Sequence, residues 1–152
     1  MSLFSAINRK NLNGVQELIN TGADLNEVNE DGFTPLIYAL DSGNLEITRL
    51  LIASGANVNL ADDFGNTPLI HASKSGDSEF VKLLIDAGAN VNAIGESNKT
   101  ALIFACIEGH LEITRLLIAA GVDVNVRDHE GVRPLVHASF LGLLERLYVH
   151  HD

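Results

Sequence analysis

The sequence predicts an all-α repeat solenoid, in which stacked helix–turn–helix units each carry a β-hairpin arm. The stretch from Gly43 to Asn59 recurs from Gly109 to Asn125, with thirteen of its seventeen positions identical. A repeat period equal to half of the spacing between these two copies runs along the whole chain. At this period the same residue type recurs: Leu3, Leu36, Leu69, Leu102 and Leu135; Ala6, Ala39, Ala72, Ala105 and Ala138; Gly22, Gly55, Gly88 and Gly121. A fixed period of this kind is typical of units that bury their apolar faces against one another.

The period covers the chain without a linker, so we expect a single domain, residues 1–152. We divide it into an N-terminal cap repeat (1–31), three full repeats (32–64, 65–97 and 98–130) and a short C-terminal cap repeat (131–152). Glu17 stands at the position that Leu50 occupies in the next repeat. A charge there is tolerable if no other unit packs on that side, which is the behaviour expected of a cap.

Within a repeat, the residue types predict where each helix begins and ends. Thr34 is a good N-cap, and Pro35 suits the first position of a helix, which Gly43 can end in a left-handed conformation. Asn44 can cap a second helix, whose apolar residues include Leu45, Leu50, Leu51 and Ile52 and which Gly55 closes. The arm that follows has turn chemistry in the sequence DDFG, residues 62–65.

These residues carry a resemblance to a known family. The segments GFTPLIYA, GNTPLIHA and NKTALIFA, which begin at Gly32, Gly65 and Asn98, resemble the T-P-L-H-x-A signature of ankyrin repeats. The resemblance implies a curved solenoid that binds other proteins through its concave face and has no enzymatic activity. Isoleucine replaces the family's histidine at positions 37, 70 and 103, where we expect apolar packing.

One arm departs from the others. Asn98 stands where the other repeats have glycine, and Gly95 stands where they have Asn29, Asp62 or Asp128. Because both positions belong to the turn, we expect the hairpin before the fourth repeat to be reshaped.

Composition and charge exclude several classes of function. The formal net charge is −10, which argues against nucleic-acid binding because that requires clustered lysine and arginine. Neither a signal peptide nor an apolar stretch long enough to cross a membrane is evident. The single cysteine, Cys106, allows no intramolecular disulfide and fits a reducing compartment, so we expect a cytoplasmic protein.

Motifs for chemistry are weak, and we expect neither a cofactor, a metal site nor an enzyme. The segment AIGESNKT, residues 93–100, lacks both glycines of the phosphate-binding loop that it faintly resembles. His71 and His137 lie two repeats apart, and no cysteine or carboxylate completes a zinc set around them. Cys106 is expected to be a buried, inert thiol, because small residues pack at that place in the first helix.

The resemblance places partner contacts at the hairpin tips and at the exposed part of each first helix. These positions vary between repeats, whereas the structural positions hardly vary. The residues that we expect to contact a partner protein are Phe33, Asp41, Asp63, Phe64, Asn66, Lys74, Ile94, Glu96, Lys99, Ile107 and Glu108. Phe33 and Phe64 are either interface anchors or rings that brace neighbouring arms, and the acidic residues around them form either a solvated face or a surface for a basic partner.

The favoured function is therefore a protein–protein interaction module that inhibits or scaffolds a partner protein, and we expect a monomer. The alternative is an architectural protein that self-associates through its apolar C-terminal end, where Phe140 and Leu141 have no following repeat to cover them.

Overall fold

The computed structural model describes residues 1–134, which form two compact units, residues 1–68 and residues from 69 onward. The predicted self-association residues Phe140 and Leu141 lie outside the described residues, as does most of the predicted C-terminal cap repeat. The described part of the chain belongs to an all-helical repeat solenoid, as the sequence predicts.

Eight short α-helices alternate as first and second helices of successive repeats within residues 1–134. The first helices are α1 (Leu3–Asn8), α3 (Pro35–Asp41), α5 (Pro68–Ser75) and α7 (Ala101–Glu108). The second helices are α2 (Leu12–Asn20), α4 (Leu45–Ala53), α6 (Ser78–Asp86) and α8 (Leu111–Ala119). Each second helix begins one full period after the one before, so the predicted period is confirmed.

Side-chain caps start most of these helices. The Thr34 side chain accepts a hydrogen bond from the Ile37 amide at the start of α3, and Asn44 caps α4 by accepting from the Ile47 amide. Both caps satisfy an amide that lacks a partner inside the helix, which is worth about 1 kcal/mol each. Gly43 has the predicted left-handed conformation, with φ +70°.

In the first unit, α1 packs against α2 and α3, and α2 packs against α4. The apolar residues that this packing buries almost completely are Leu3, Ile7, Val15, Leu36, Ile37, Ile47 and Leu51. On α4 the buried face therefore includes Ile47, whereas Leu45, Leu50 and Ile52 are only half-buried. Leu51 is the one predicted apolar residue of α4 at the centre of the core.

In the second unit, α6 and α7 both pack against α8. The core contains Leu69, Ile70, Val81, Leu84, Leu102, Ile103, Ile113 and Leu117. Isoleucine at positions 37, 70 and 103 is buried, so the expected apolar packing at the family's histidine position is confirmed. Cys106 is 1% exposed, and burial raises the pKa of its thiol to about 11, against a smaller lowering by a hydrogen bond with Thr114.

The arms are hairpin loops rather than ladders of strands, since residues 1–134 contain no β-strand. Asparagine side chains tie neighbouring arms together inside each unit. Asn26 Oδ1 accepts from the Asn57 amide at 2.9 Å in the first unit, and Asn92 Oδ1 accepts from the Asp123 amide at 2.7 Å in the second. Each of these two side chains thus reaches from its own arm to the next one.

Candidate protein-binding site

Three of the four described hairpin loops, residues 29–33, 62–66 and 128–132, are built in the same way. In the second of them, Asp62 Oδ1 accepts hydrogen bonds from the amides of Phe64 and Asn66, at 2.9 and 3.0 Å. Asn29 and Asp128 make the same pair of contacts in their own loops. We call this side chain the loop clamp. These two contacts are made to backbone amides, so they do not depend on the tip side chains.

The fourth loop, residues 95–99, is reshaped as predicted, because Gly95 has no side chain to act as a clamp. The Gly95 amide still donates to the Lys99 carbonyl at 2.9 Å, but the turn inside contains a short 3-10 segment, Glu96–Asn98. Ser97 and Asn98 both have φ +56°, a left-handed conformation that is costly for residues other than glycine. An isolated β-bridge between Ile94 and Thr100 flanks the turn.

The structure separates the variable loop positions into those that face solvent and those that do not. The third residue of every hairpin loop is exposed and differs between repeats: Asp31, Phe64, Ser97 and Glu130. The backbone carbonyl of the fifth residue closes each loop by a hydrogen bond, and the fifth side chain is less exposed than the third. Asn66 is accordingly 5% exposed, and Phe33, Lys99 and Val132 are half-buried. The side chain of Asn66 therefore offers a partner little surface in the described structure.

In the first unit, Phe64 is the most prominent of the predicted contact residues. Its side chain is 65% exposed, whereas Phe33 is half-buried and fits the bracing interpretation better. Asp63 is exposed and lies directly over Gly32, since a β-carbon placed on Gly32 would be 2.4 Å from Asp63 Cγ. Asp41 is exposed at the end of α3. The contact between Asp63 and Gly32 brings the tips of the two loops of this unit side by side.

In the second unit, three predicted contact residues gather around an aromatic ring that the sequence analysis missed. Lys74 Nζ and Lys99 Nζ lie 5.3 and 5.9 Å from the centre of the Phe104 ring, and Lys74 Nζ is 3.6 Å from Glu96 Oε1. Cations at such distances are attracted by the face of the ring. Lys74 therefore contacts both Glu96 and the Phe104 ring, and Lys99 contacts the same ring. Ile94, close to them in sequence, is 57% exposed.

The other predicted residues of the second unit lie at the end of α7. Glu108 is exposed and Ile107 is half-buried.

Two histidines that the sequence analysis did not use connect repeats within the second unit. His110 does not cap its own helix α8, and its Nε2 lies 3.2 Å from the Lys74 carbonyl oxygen. The His129 amide donates to the Ser97 carbonyl at 3.0 Å, and His129 Nδ1 lies 3.2 Å from the same oxygen. The clampless loop is thus held by its neighbour. Sequence spacing offers no signal for such contacts, because each of them joins groups that belong to different repeats.

The described part of the chain contains few groups that could bind a metal ion or act as a nucleophile. No group of three or more histidine, cysteine or carboxylate side chains among residues 1–134 is arranged to hold a metal ion. No helix in this range combines the length and apolar character that spanning a membrane requires. The raised pKa of Cys106 keeps its sulfur protonated at neutral pH, where a nucleophile needs the thiolate.

The fold and the loops define a helical repeat protein with a constant frame and variable tips. A family model described as ankyrin repeats in three copies matches residues 3–95, and another, described as ankyrin repeats in many copies, matches residues 84–137. The chain belongs to the ankyrin-repeat family. Ankyrin repeats are generally protein–protein interaction modules, and the family is typically non-enzymatic. A search of curated proteins gave no match.

Proposed function

We propose that this protein binds a partner protein through the tips of its hairpin loops and the exposed ends of its first helices. The observation that carries the proposal is the third residue of each loop, which is exposed in all four described loops and different in each. Positions of the frame show the opposite behaviour, since Leu36, Leu69 and Leu102 are identical and almost fully buried. Contact residues in this proposal are Phe33, Asp41, Asp63, Phe64, Lys74, Ile94, Glu96, Lys99, Ile107 and Glu108.

Phe64 supplies the strongest single reason to expect binding at the tips. Full burial of a phenylalanine side chain is worth about 1.5–3 kcal/mol, and most of this side chain is still in contact with water. The Asp62 clamp holds the Phe64 amide, so the backbone is ordered before a partner arrives. Little conformational entropy is then lost when the ring is covered, which favours binding.

The test compares the effects on partner capture of two alanine substitutions. Each removes an exposed apolar side chain, one at a loop tip and one on a second helix. Phe64→Ala removes the proposed anchor, and Leu12→Ala removes an exposed leucine at the start of α2. Immobilised wild-type protein and both variants are exposed to the same lysate of the source organism, and captured proteins are identified by mass spectrometry. We expect a protein that the wild type and Leu12→Ala capture and Phe64→Ala loses.

If Phe64→Ala still captures that protein and Leu12→Ala does not, the binding surface lies on the second helices. That result would overturn the proposal. Circular dichroism of both variants checks that the helices are intact.

A further inference from the structure

We infer that the hairpin loops of the first unit bind a lysine- or arginine-rich segment of the partner that places an apolar side chain against Phe64. The inference rests on the proposed function and names the chemistry of the partner at one part of that surface. It comes from the distribution of charge, from the pairing of the carboxylates and from the position of Phe64 among them.

The first unit contains many more acidic than basic residues. Residues 1–68 contain nine aspartates and glutamates against three lysines and arginines, Arg9, Lys10 and Arg49. None of those three cations belongs to an arm, because residues 21–34 and 54–67 contain neither lysine nor arginine. The arms of this unit therefore carry negative charge alone, and long-range attraction will guide cationic partners towards them.

Three carboxylates at the tips of this unit form no ion pair among the described residues. Among the described residues, no hydrogen bond or ion pair involves the carboxylates of Glu30, Asp31 or Asp63, all of which are exposed. No partner within the described part of the protein has to be displaced before a cationic segment contacts them.

In the second unit, by contrast, two glutamates form ion pairs with lysines of the same unit. Glu96 lies 3.6 Å from Lys74 and Glu112 lies 3.5 Å from Lys82, each measured from carboxylate oxygen to Nζ. The contrast favours the first unit as the place where a basic partner binds.

The negative charge of Asp63 and the apolar ring of Phe64 belong to neighbouring residues of one loop tip. Asp63 and Phe64 are consecutive, and Asp63 reaches over Gly32, next to Asp31. A partner segment that covers Phe64 therefore meets carboxylates from both loops of the unit. No group of three or more carboxylate or histidine side chains among residues 1–134 is arranged for a metal ion, so a macromolecular cation fits these carboxylates better than a bound divalent metal.

The experiment selects peptides from a displayed library of random linear sequences on the immobilised full-length protein. We expect the enriched peptides to carry more lysine and arginine than the unselected library, together with at least one apolar residue. A selected peptide is then synthesised with a fluorescent label, and its Kd is measured by anisotropy at increasing sodium chloride concentration. We expect its affinity to fall as salt is added, because salt screens exposed charges.

Two triple variants with the same change in net charge identify the site. Glu30→Gln/Asp31→Ser/Asp63→Asn neutralises the tips, and we expect it to weaken binding of the labelled peptide about fivefold to tenfold, as three exposed charge pairs together would. Glu17→Gln/Glu46→Gln/Glu79→Gln neutralises exposed carboxylates on the second helices, and we expect a change of less than about twofold. Phe64→Ala should weaken the same peptide roughly tenfold.

Enrichment of neutral or acidic peptides would overturn the inference and leave the proposed function intact. Equal effects of the two triple variants would overturn it as well, since the attraction would then come from net charge rather than from the tips. If no peptide binds, the inference fails, and the capture experiment with Phe64→Ala decides the proposed function separately.

Discussion

Replacement of Gly32 by alanine tests whether the two loop tips of the first unit really touch. Gly32 and Gly65 occupy the same position in successive hairpin loops and have almost the same left-handed conformation, with φ +84° and +86°. Their surroundings differ. A β-carbon on Gly32 would lie 2.4 Å from Cγ and Oδ2 of Asp63 and 2.8 Å from its Cβ, whereas a β-carbon on Gly65 meets no heavy atom within 4 Å.

The size of the effect follows from two separate costs. An alanine forced into the left-handed region loses about 1–2 kcal/mol relative to glycine, and this cost applies to Gly32→Ala and Gly65→Ala alike. Gly32→Ala must in addition rotate the Asp63 carboxylate away and shift the backbone that carries the Asp63 Cβ, which adds about 1 kcal/mol or more. We therefore expect the free energy of unfolding to fall by about 1 kcal/mol more for Gly32→Ala than for Gly65→Ala.

Urea unfolding followed by circular dichroism measures both values, and a double mutant isolates the contact. Asp63→Gly removes all three atoms that the new methyl group would meet, so Gly32→Ala in that background should cost no more than Gly65→Ala. Equal losses for Gly32→Ala and Gly65→Ala in the otherwise wild-type protein would refute the reasoning. The inferred side-by-side arrangement of the tips would then lose its geometric support.

Three further predictions concern the second unit. Gly76→Ala should destabilise the protein by about 2–3 kcal/mol in thermal or urea unfolding, because Gly76 has φ +87° and a β-carbon would lie 2.5 Å from His110 Cε1. Ser73→Ala should stabilise it by about 1 kcal/mol, since Ser73 is fully buried and its Oγ has no hydrogen-bond partner among the described residues. The stability contributed by the protonated Cys106 thiol should be complete below pH 9 and lost as the pH rises towards 11, about 2–3 kcal/mol in all, because burial raises its pKa from 9.0 to about 11.

Each of these predictions has a matched comparison. Gly43→Ala probes the position equivalent to Gly76, with φ +70° but no heavy atom near the new methyl group, and should cost about 1 kcal/mol less. Loss of stability in Ser73→Ala would show that its hydroxyl does have a partner. For Cys106, urea unfolding at several pH values is compared with Cys106→Ala, and a parallel decline of the two proteins between pH 9 and 11 would contradict the expected pKa.

The helices were predictable because the signals that start and stop them are local. Thr34, Asn44 and Gly43 act within one turn of their own positions, and the sequence period carries the same signals from repeat to repeat. Which face of a short second helix is buried was harder to predict. Almost every turn of α4 offers an apolar residue, so the choice of Ile47 over Leu45 is made by the helices packed against it.

The site was predictable in part, for similar reasons. Exposure of Phe64 follows from its place at the tip of a turn. Burial of Asn66 was not predictable in this way, because Phe33 and Val132 end loops with the same clamp and are only half-buried. The cluster of Lys74, Lys99 and Phe104 was beyond sequence reasoning, because only the stacking of two repeats brings these residues together.

The clamped loops of the first unit are held through backbone amides, whereas the clampless loop of the second unit is held by residues outside it. Asp62 fixes its loop through backbone amides, so Asp63 and Phe64 carry no structural duty inside that loop. Gly95 provides no clamp, and its loop is held from outside, by His129 on the Ser97 carbonyl and by Lys74 on Glu96. Replacement of His129, Lys74 or Glu96 to suit a partner would also remove a contact that holds this loop. Because backbone amides hold the clamped loops of the first unit, we expect their tips to accept other side chains without loss of the fold, and we propose that the specificity of binding lies there.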